Sequence, residues 1–298
     1  MSIVELETEH ASATLLQKLV AAGFNAQVHQ TNVHALTVEA EAEQKSNLVE
    51  TLVDYVFTDW CYDYICLRIA AVYDYLTDDE REYIALLTFH GIRKSDEVIA
   101  GLTHDQWRQL VQDAVEHWMD AAGNSPYLNV DGLVRFRVKD YLLATDHSMH
   151  EVVEQFLADR EYEEFVSMLR YMLDTQPPNE QVLHVYCTND RVWITDSAGE
   201  LVRDTAVADA AARASDGDEV NAEDLAMSIL ITRAPCRIVI HDMAIAAPWP
   251  SFSETVEKVF VGRAARCDNC STCRELLQST DVYREQNLQR KVIPDKLH

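Results

Sequence analysis

Apolar positions in the first 45 residues change from helical spacing to alternation. Leu15 and Leu19, with their neighbours, recur at the spacing of one helix face, and Gly23 supplies a helix stop. Ala26 begins a short extended segment, and residues 33–38 then alternate in the manner of a half-buried strand. The pattern therefore predicts a helix followed by two short strands.

Residues 46–176 carry a helical pattern almost throughout. Leu48, Leu52, Val56 and Trp60 lie on one face of a single long helix predicted from Asn47 to Tyr75. The aromatic residues of this helix recur at helical spacing, which is more typical of a packed core than of a stacking platform. We expect this face to form the core of a helical block.

Two capping boxes mark the starts of later helices in this block. In Thr77–Glu80 and Thr103–Gln106 a hydroxyl residue precedes Glu or Gln by three positions, so each side chain can satisfy a free amide of the first turn. A further helical stretch follows Gly132 and runs to Leu173, and the paired prolines at 177–178 end the block.

The hydrophobic period changes again beyond these prolines. Residues 182–187 and 191–195 predict a hairpin, and Asn221 is suited to cap a helix. Residues 236–241 predict a buried strand, and 253–261 a helix that leads directly into a cysteine run. Strands and helices therefore mix in this part of the chain.

These elements predict an α+β protein. It would comprise a small N-terminal α/β segment over residues 1–45, a helical middle over 46–176, and an α+β domain over 177–298. The last of these would contain a small mixed sheet and the CxxCxxC motif. We take the prolines at 177–178 as the clearest domain boundary.

The cysteine run is the most specific chemical signal. Cys267, Cys270 and Cys273 place three thiols within seven residues, and thiolates bind both Zn²⁺ and iron–sulfur clusters. A ferredoxin-type cluster is disfavoured because Leu277 stands where its next cysteine would fall. We favour Zn²⁺ over a cluster, while unmetallated thiols stay an alternative.

A closed tetrahedral site needs a fourth ligand, which the cysteine run lacks. Candidates are Cys187, Cys236, His241 or a group from another chain. We favour His241 because it ends the predicted buried strand, and the metal would then hold the C-terminal segment against that strand.

Arg135, Arg137 and Lys139 form the most basic stretch of the chain and are a candidate anion-binding site. On a strand the three charges would share one face. On a helix Arg135 and Lys139 would align one turn apart, with Asp140 and Asp146 as available partners. Ion pairing with such carboxylates is the alternative to anion binding.

The net charge of the chain excludes some classes of binding partner. A formal net charge of −25 repels phosphates and anionic lipid, so we expect no nucleic-acid binding. We also expect no membrane span and no secretory signal. Seven cysteines without a disulfide-scaffold spacing favour a reducing cytoplasm. An unknown protein partner and a homo-oligomer both stay open.

Several blocks of the chain resemble the sporulation protein YtxC family of endospore-forming bacteria. The resemblance spans roughly residues 46–280 and rests on these blocks in order: 134–141, 161–171, 183–185, 221–241 and 259–273. It implies a cytoplasmic protein of spore-forming cells and carries over no catalytic residue. Family members often have glycine before the middle cysteine. This chain has Asn269, which also tolerates a left-handed turn.

Two hypotheses of different classes follow. The first is a sporulation-associated cytoplasmic accessory or regulatory protein with a structural metal site. The alternative is a zinc- or iron–sulfur-dependent enzyme or redox sensor acting on a small anionic substrate. In that case His241 or Glu223 would supply acid–base chemistry, and the basic stretch would hold the substrate. No nucleophile elbow or phosphate-binding glycine loop is present to favour the enzyme.

Overall fold

The computed structural model describes residues 2–94, 98–121, 126–189, 191–207, 221–245, 247 and 249–277. The chain divides into two compact units, residues 1–159 and 160–298. Helices and small sheets mix in both, so the predicted α+β class is confirmed. The predicted three-part domain division stays a prediction.

The N-terminal unit contains a four-stranded sheet, a β-ribbon and most of the helices. Its elements are β1 (Ser2–Glu7), α1 (Ser12–Ala21), β2 (Asn25–His29), β3 (Asn32–Ala40), α2 (Lys45–Tyr55), α3 (Cys61–Val72), α4 (Asp78–Gly91), β4 (Val98–Ile99), β5 (Leu102–Thr103), α5 (His104–Ala121), β6 (Tyr127–Asn129), α6 (Val130–Arg137) and α7 (Lys139–Asp174), whose last residues belong to the second unit.

The sheet of the N-terminal unit has the strand order β2–β3–β1–β6. The predicted helix and two strands are present as α1, β2 and β3, whereas β1 was not predicted. In the structure β1 pairs antiparallel with β3, so Val4 faces Val38 and Leu6 faces Leu36. All four side chains are buried. Six residues with two core positions are too short a pattern to predict a strand without its partner.

The long helix predicted over 47–75 is confirmed as a nearly continuous run from Lys45 to Val72. It contains one irregular turn, Val56–Trp60, which has π-helical hydrogen bonding. The extra residue of a π turn rotates the following face, and Trp60 is fully buried on it. The capping box at Thr77 is also confirmed, because Thr77 accepts from the Glu80 N–H.

A buried carboxylate connects the start of α6 to the loop after β1. Asp131 accepts hydrogen bonds from Trp60 Nε1 at 2.6 Å, Thr8 Oγ1 at 3.1 Å and the Glu9 N–H at 2.7 Å. These donors come from segments far apart in the sequence. A charge can stay buried in this way because its oxygens are occupied by donors.

The C-terminal unit is built on a four-stranded mixed sheet with the order β10–β9–β7–β8. Neighbouring strands β7, β9 and β10 are parallel, and β8 is antiparallel to β7. The elements after α7 are β7 (Asn179–Cys187), β8 (Val192–Thr195), α8 (Ala222–Arg233), β9 (Pro235–Asp242), α9 (Phe252–Val259) and β10 (Ala264–Arg266).

The predicted hairpin, cap, strand and helix of the C-terminal part are present, but the last helix does not lead directly into the cysteine run. It ends at Val259, and β10 comes between, a three-residue strand too short to be predicted from its pattern. β7 and β8 form the hairpin, and Asn221 Oδ1 accepts from the Glu223 N–H at the start of α8. The alanine-rich stretch 204–218, whose composition predicts a surface helix and loop, is described only to residue 207, and its remainder lies outside the described residues.

The two faces of the C-terminal sheet differ in character. Leu183, Val185, Ile238 and Ile240 point to one face and join residues of α7, α8 and α9 in a single apolar cluster. Because successive side chains of a strand alternate between faces, His241 lies on the other face. Its side chain is nevertheless buried, so residues outside this helical layer must cover it.

Within the described residues, none of the helices combines the length and the apolar character needed to span a bilayer.

We predict that Asp131→Ala destabilises the protein by about 3 kcal/mol, because the buried donors of Thr8 and Trp60 and the part-buried Glu9 N–H lose their acceptor. Urea unfolding followed by tryptophan fluorescence measures this free energy. Asp140→Ala is the matched control: Asp140 is exposed, and its loss should cost about 0.5 kcal/mol or less. Equal effects of the two substitutions would contradict a central role for Asp131.

Candidate metal centre

Parallel pairing of β9 and β10 sets up the site. β10 lies beside β9 with Arg266 opposite Ile240, and the Cys267 N–H donates to the Ile240 carbonyl at 2.8 Å. Cys267 therefore leaves the sheet edge directly beside the strand that carries His241. Farther along the chain, Cys270 and Cys273 lie against His241.

The residues after Cys267 form a tight turn and a helical segment. Asn269 has φ of 55°, in the left-handed region that glycine and asparagine tolerate best. Asn269 stands where family members often have glycine, and it forms the left-handed turn that its residue type predicts. The Cys270 N–H points to Cys267 Sγ at 3.4 Å, and residues 271–277 are helical. This turn brings all three thiols to one side of the backbone.

The four predicted metal ligands lie together. His241 and the three cysteines offer ligand atoms that are all within 4.8 Å of one another. Cys270 Sγ is 3.6 Å from Cys273 Sγ and 3.7 Å from His241 Nδ1, and His241 Nδ1 is 3.2 Å from Cys273 Sγ. Four ligands around one tetrahedral Zn²⁺ would be about 3.5 to 3.8 Å apart. The observed set fits one ion with little movement.

The protonation chemistry of the cluster also suits a metal. The backbone N–H of Cys273, together with its thiol, lowers the pKa of the Cys270 thiol to about 7. Burial and the neighbouring thiols raise the pKa of Cys273 to about 12. Burial, with His184 nearby, lowers the pKa of His241, which favours the neutral imidazole that metals require.

A stack of two aromatic rings covers one face of the His241 ring, and a second histidine lies at its edge. Tyr186 stacks on His241 with ring centroids 4.3 Å apart and planes 7° apart, and Trp193 stacks on Tyr186 at 5.1 Å. His184 Nδ1 is 2.9 Å from His241 Nε2, the ring nitrogen that does not face the cysteines. No role was predicted for Tyr186, Trp193 or His184 from the sequence, although the alternation in β7 places His184 and Tyr186 on the face opposite its apolar residues.

The other candidate fourth ligands lie elsewhere. Cys187 is buried in the apolar cluster, where burial raises the pKa of its thiol to about 12. Cys236 is exposed near the start of β9, five residues and about 16 Å before His241 along an extended strand. Of the named candidates on this chain, only His241 contributes to the cluster.

The basic residues lie in the N-terminal unit. Arg135 and Arg137 end α6, the backbone of Val138 departs from helical geometry, and Lys139 begins α7. All three side chains are exposed, and anion binding there stays a prediction. Asp146, which was offered as a partner for them, pairs with Arg68 at 3.1 Å.

The remaining acid–base candidate, Glu223, lies in the first turn of α8, where its backbone N–H donates to the cap residue Asn221. Its carboxylate is exposed and suits the helix N-terminus. Glu223 is not among the four residues of the cluster.

The sequence was compared with models of known protein families. The model of the YtxC-like family matches residues 46–265, which is most of the chain. The chain belongs to the YtxC-like family. The match includes the strand that carries His241 and ends two residues before Cys267, so the thiol ligands of this YtxC-like protein are argued from its own residues. No curated protein and no solved structure matches the chain.

We predict that Cys270 is a more reactive thiol than Cys273 in the metal-free protein. Because its pKa is lowered to about 7, its rate of alkylation by iodoacetamide should rise as pH increases through 7. Cys273 and Cys187, whose pKa values burial raises to about 12, should react far more slowly. Peptide mass spectrometry resolves the sites, and faster labelling of Cys273 would contradict this ordering.

Proposed function

We propose that His241, Cys267, Cys270 and Cys273 bind one Zn²⁺ as a structural site in a non-enzymatic accessory or regulatory protein. The zinc would fasten residues 267–277 to the face of the sheet that the helical layer leaves free. It would supply cross-linking and no redox or Lewis-acid chemistry. The observation that carries the proposal is the convergence of four ligand atoms within 4.8 Å.

The number of ligands favours a structural role over a catalytic one. Catalytic zinc sites keep a position open for water or substrate, whereas structural sites close the tetrahedron with four protein ligands. Three thiolates and one imidazole complete such a set. His241 is then a ligand, which argues against its use as the acid–base group of an enzyme.

The spacing of the thiols favours a single ion over an iron–sulfur cluster. In a [4Fe–4S] cluster each thiolate binds a different iron atom, and in a [2Fe–2S] cluster the four ligands divide between two irons, so a full ligand set spreads farther apart than four ligands that share one ion. Here all four ligand atoms lie within 4.8 Å of one another. The 3.6 Å between Cys270 Sγ and Cys273 Sγ suits one shared ion.

Membership of the YtxC-like family supports a role associated with sporulation, which we extend to this chain as part of the proposal. A cytoplasmic location accords with seven free cysteines, since a reducing compartment keeps thiols available for metal. An accessory role implies a protein partner, whose identity the site does not specify.

Metal analysis of the purified protein tests this proposal. We expect one zinc per chain with no visible colour, and we expect Cys270→Ser to lose the zinc and with it stability of the C-terminal unit. Cys236→Ser is the matched control, because that thiol is exposed and outside the cluster. It should keep both the zinc and the stability.

Two results would overturn the proposal. Iron and sulfide in the ratio of a cluster, with absorption near 400 nm, would replace the zinc site with a redox centre. Full zinc content in the Cys270→Ser protein would show that the metal is bound elsewhere.

A further inference from the structure

We propose that His184 is the positioning residue of the metal centre, which fixes the ring of His241 so that Nδ1 is presented to the metal. This inference rests on the proposed zinc site and adds a residue that does not touch the ion. Histidine ligands of metals almost always donate their second N–H to an acceptor outside the coordination shell, usually a carboxylate, a backbone carbonyl or water, and this bond sets both tautomer and ring orientation.

The hydrogen bond has a defined direction when metal is bound. His241 Nδ1 is the nitrogen 3.2 Å from Cys273 Sγ and 3.7 Å from Cys270 Sγ, so its lone pair must be free for the ion. The ring proton then lies on Nε2, which is 2.9 Å from His184 Nδ1. His241 therefore donates and His184 accepts through an unprotonated Nδ1.

Strand register places the two histidines before any metal arrives. β7 and β9 are parallel with Tyr186 opposite His241 and His184 opposite Val239. His184 is thus the diagonal neighbour of His241 on the same face, a position that long side chains reach. Both residues stand on central strands of the sheet, which holds their backbones rigidly.

Stacking and hydrogen bonding restrain different motions of His241. The Tyr186 ring, nearly parallel to His241 at 4.3 Å, limits tilting of the imidazole out of its plane. It cannot choose between the two orientations related by a flip of the ring, because both present a flat face. The acceptor on His184 favours the orientation that points Nε2 to itself and Nδ1 to the thiols.

Paired substitutions at residue 184 separate the hydrogen bond from simple packing. His184→Asn keeps an acceptor, because Oδ1 of asparagine occupies about the place of Nδ1 of histidine, whereas His184→Leu keeps bulk and removes the acceptor. We expect the Leu variant to bind Zn²⁺ about 10- to 100-fold more weakly than wild type. The Asn variant should retain most of the affinity. Competition with a chromophoric chelator measures both.

The visible absorption spectrum of the protein with Co²⁺ in place of Zn²⁺ gives a second measurement, which would not change if His184 only supported the fold. Thiolate-to-cobalt charge transfer should persist in the Leu variant, because the three cysteines remain. The d–d bands should change when His241 no longer occupies a single orientation. The Asn variant should keep the wild-type bands, and circular dichroism of each metal-free protein checks its fold.

Nitrogen-15 NMR of the zinc-loaded wild-type protein tests the same point without any substitution. We expect the proton of His241 on Nε2, in a hydrogen bond to His184 Nδ1. A proton on Nδ1 of His241 would overturn the inference. So would a Leu variant with the zinc affinity and cobalt spectra of wild type, or an Asn variant that binds zinc as weakly as the Leu variant. Failure of wild type itself to bind zinc would instead overturn the proposed function.

Discussion

Parallel pairing of β9 with β7 on one side and β10 on the other is the interaction on which the candidate site depends. Pairing with β7 brings Tyr186 opposite His241, and pairing with β10 ends at the Cys267 N–H, which donates to Ile240. One residue of slip would turn His241 into the apolar face, because side chains alternate with a period of two. The apolar residues on that face therefore fix the position of the metal ligands.

The same sheet explains why a metal is useful here. Its apolar face is covered by helices, but the opposite face carries His184, Tyr186, Trp193 and His241, none of which belongs to the apolar cluster. The segment that covers His241 has few apolar residues of its own, and Cys273 is its most buried contribution. A bound ion would supply the adhesion that hydrophobic burial supplies on the other face, on the order of 10 kcal/mol where zinc holds a small domain.

The sequence predicted those parts of the fold that local signals encode. Capping residues such as Thr77 and Asn221, the helical face around Trp60 and the alternation in β7 each act over a few residues. β1 and the network around Asp131 were not predictable, because each exists only through partners 28 or more residues away. Tertiary pairing, which a single sequence does not display, decided both.

The candidate site shows the same division. The spacing of the three cysteines predicts a soft-metal site without any structure. The position of His241 at the end of a predicted buried strand indicated it as the fourth ligand. His184 and Trp193 could not be assigned, since their roles arise from the order of strands in the sheet. The left-handed backbone at Asn269 was foreseeable from its residue type and is formed.

X-ray absorption at the zinc edge of the purified protein is the most direct test of the central claim, that one ion joins the cysteine turn to the sheet. We predict a first shell of three sulfur atoms at about 2.3 Å and one nitrogen at about 2.0 Å. Outer-shell scattering from one imidazole should accompany it. A shell of sulfur alone, or of nitrogen and oxygen alone, would contradict coordination by His241 and the three cysteines.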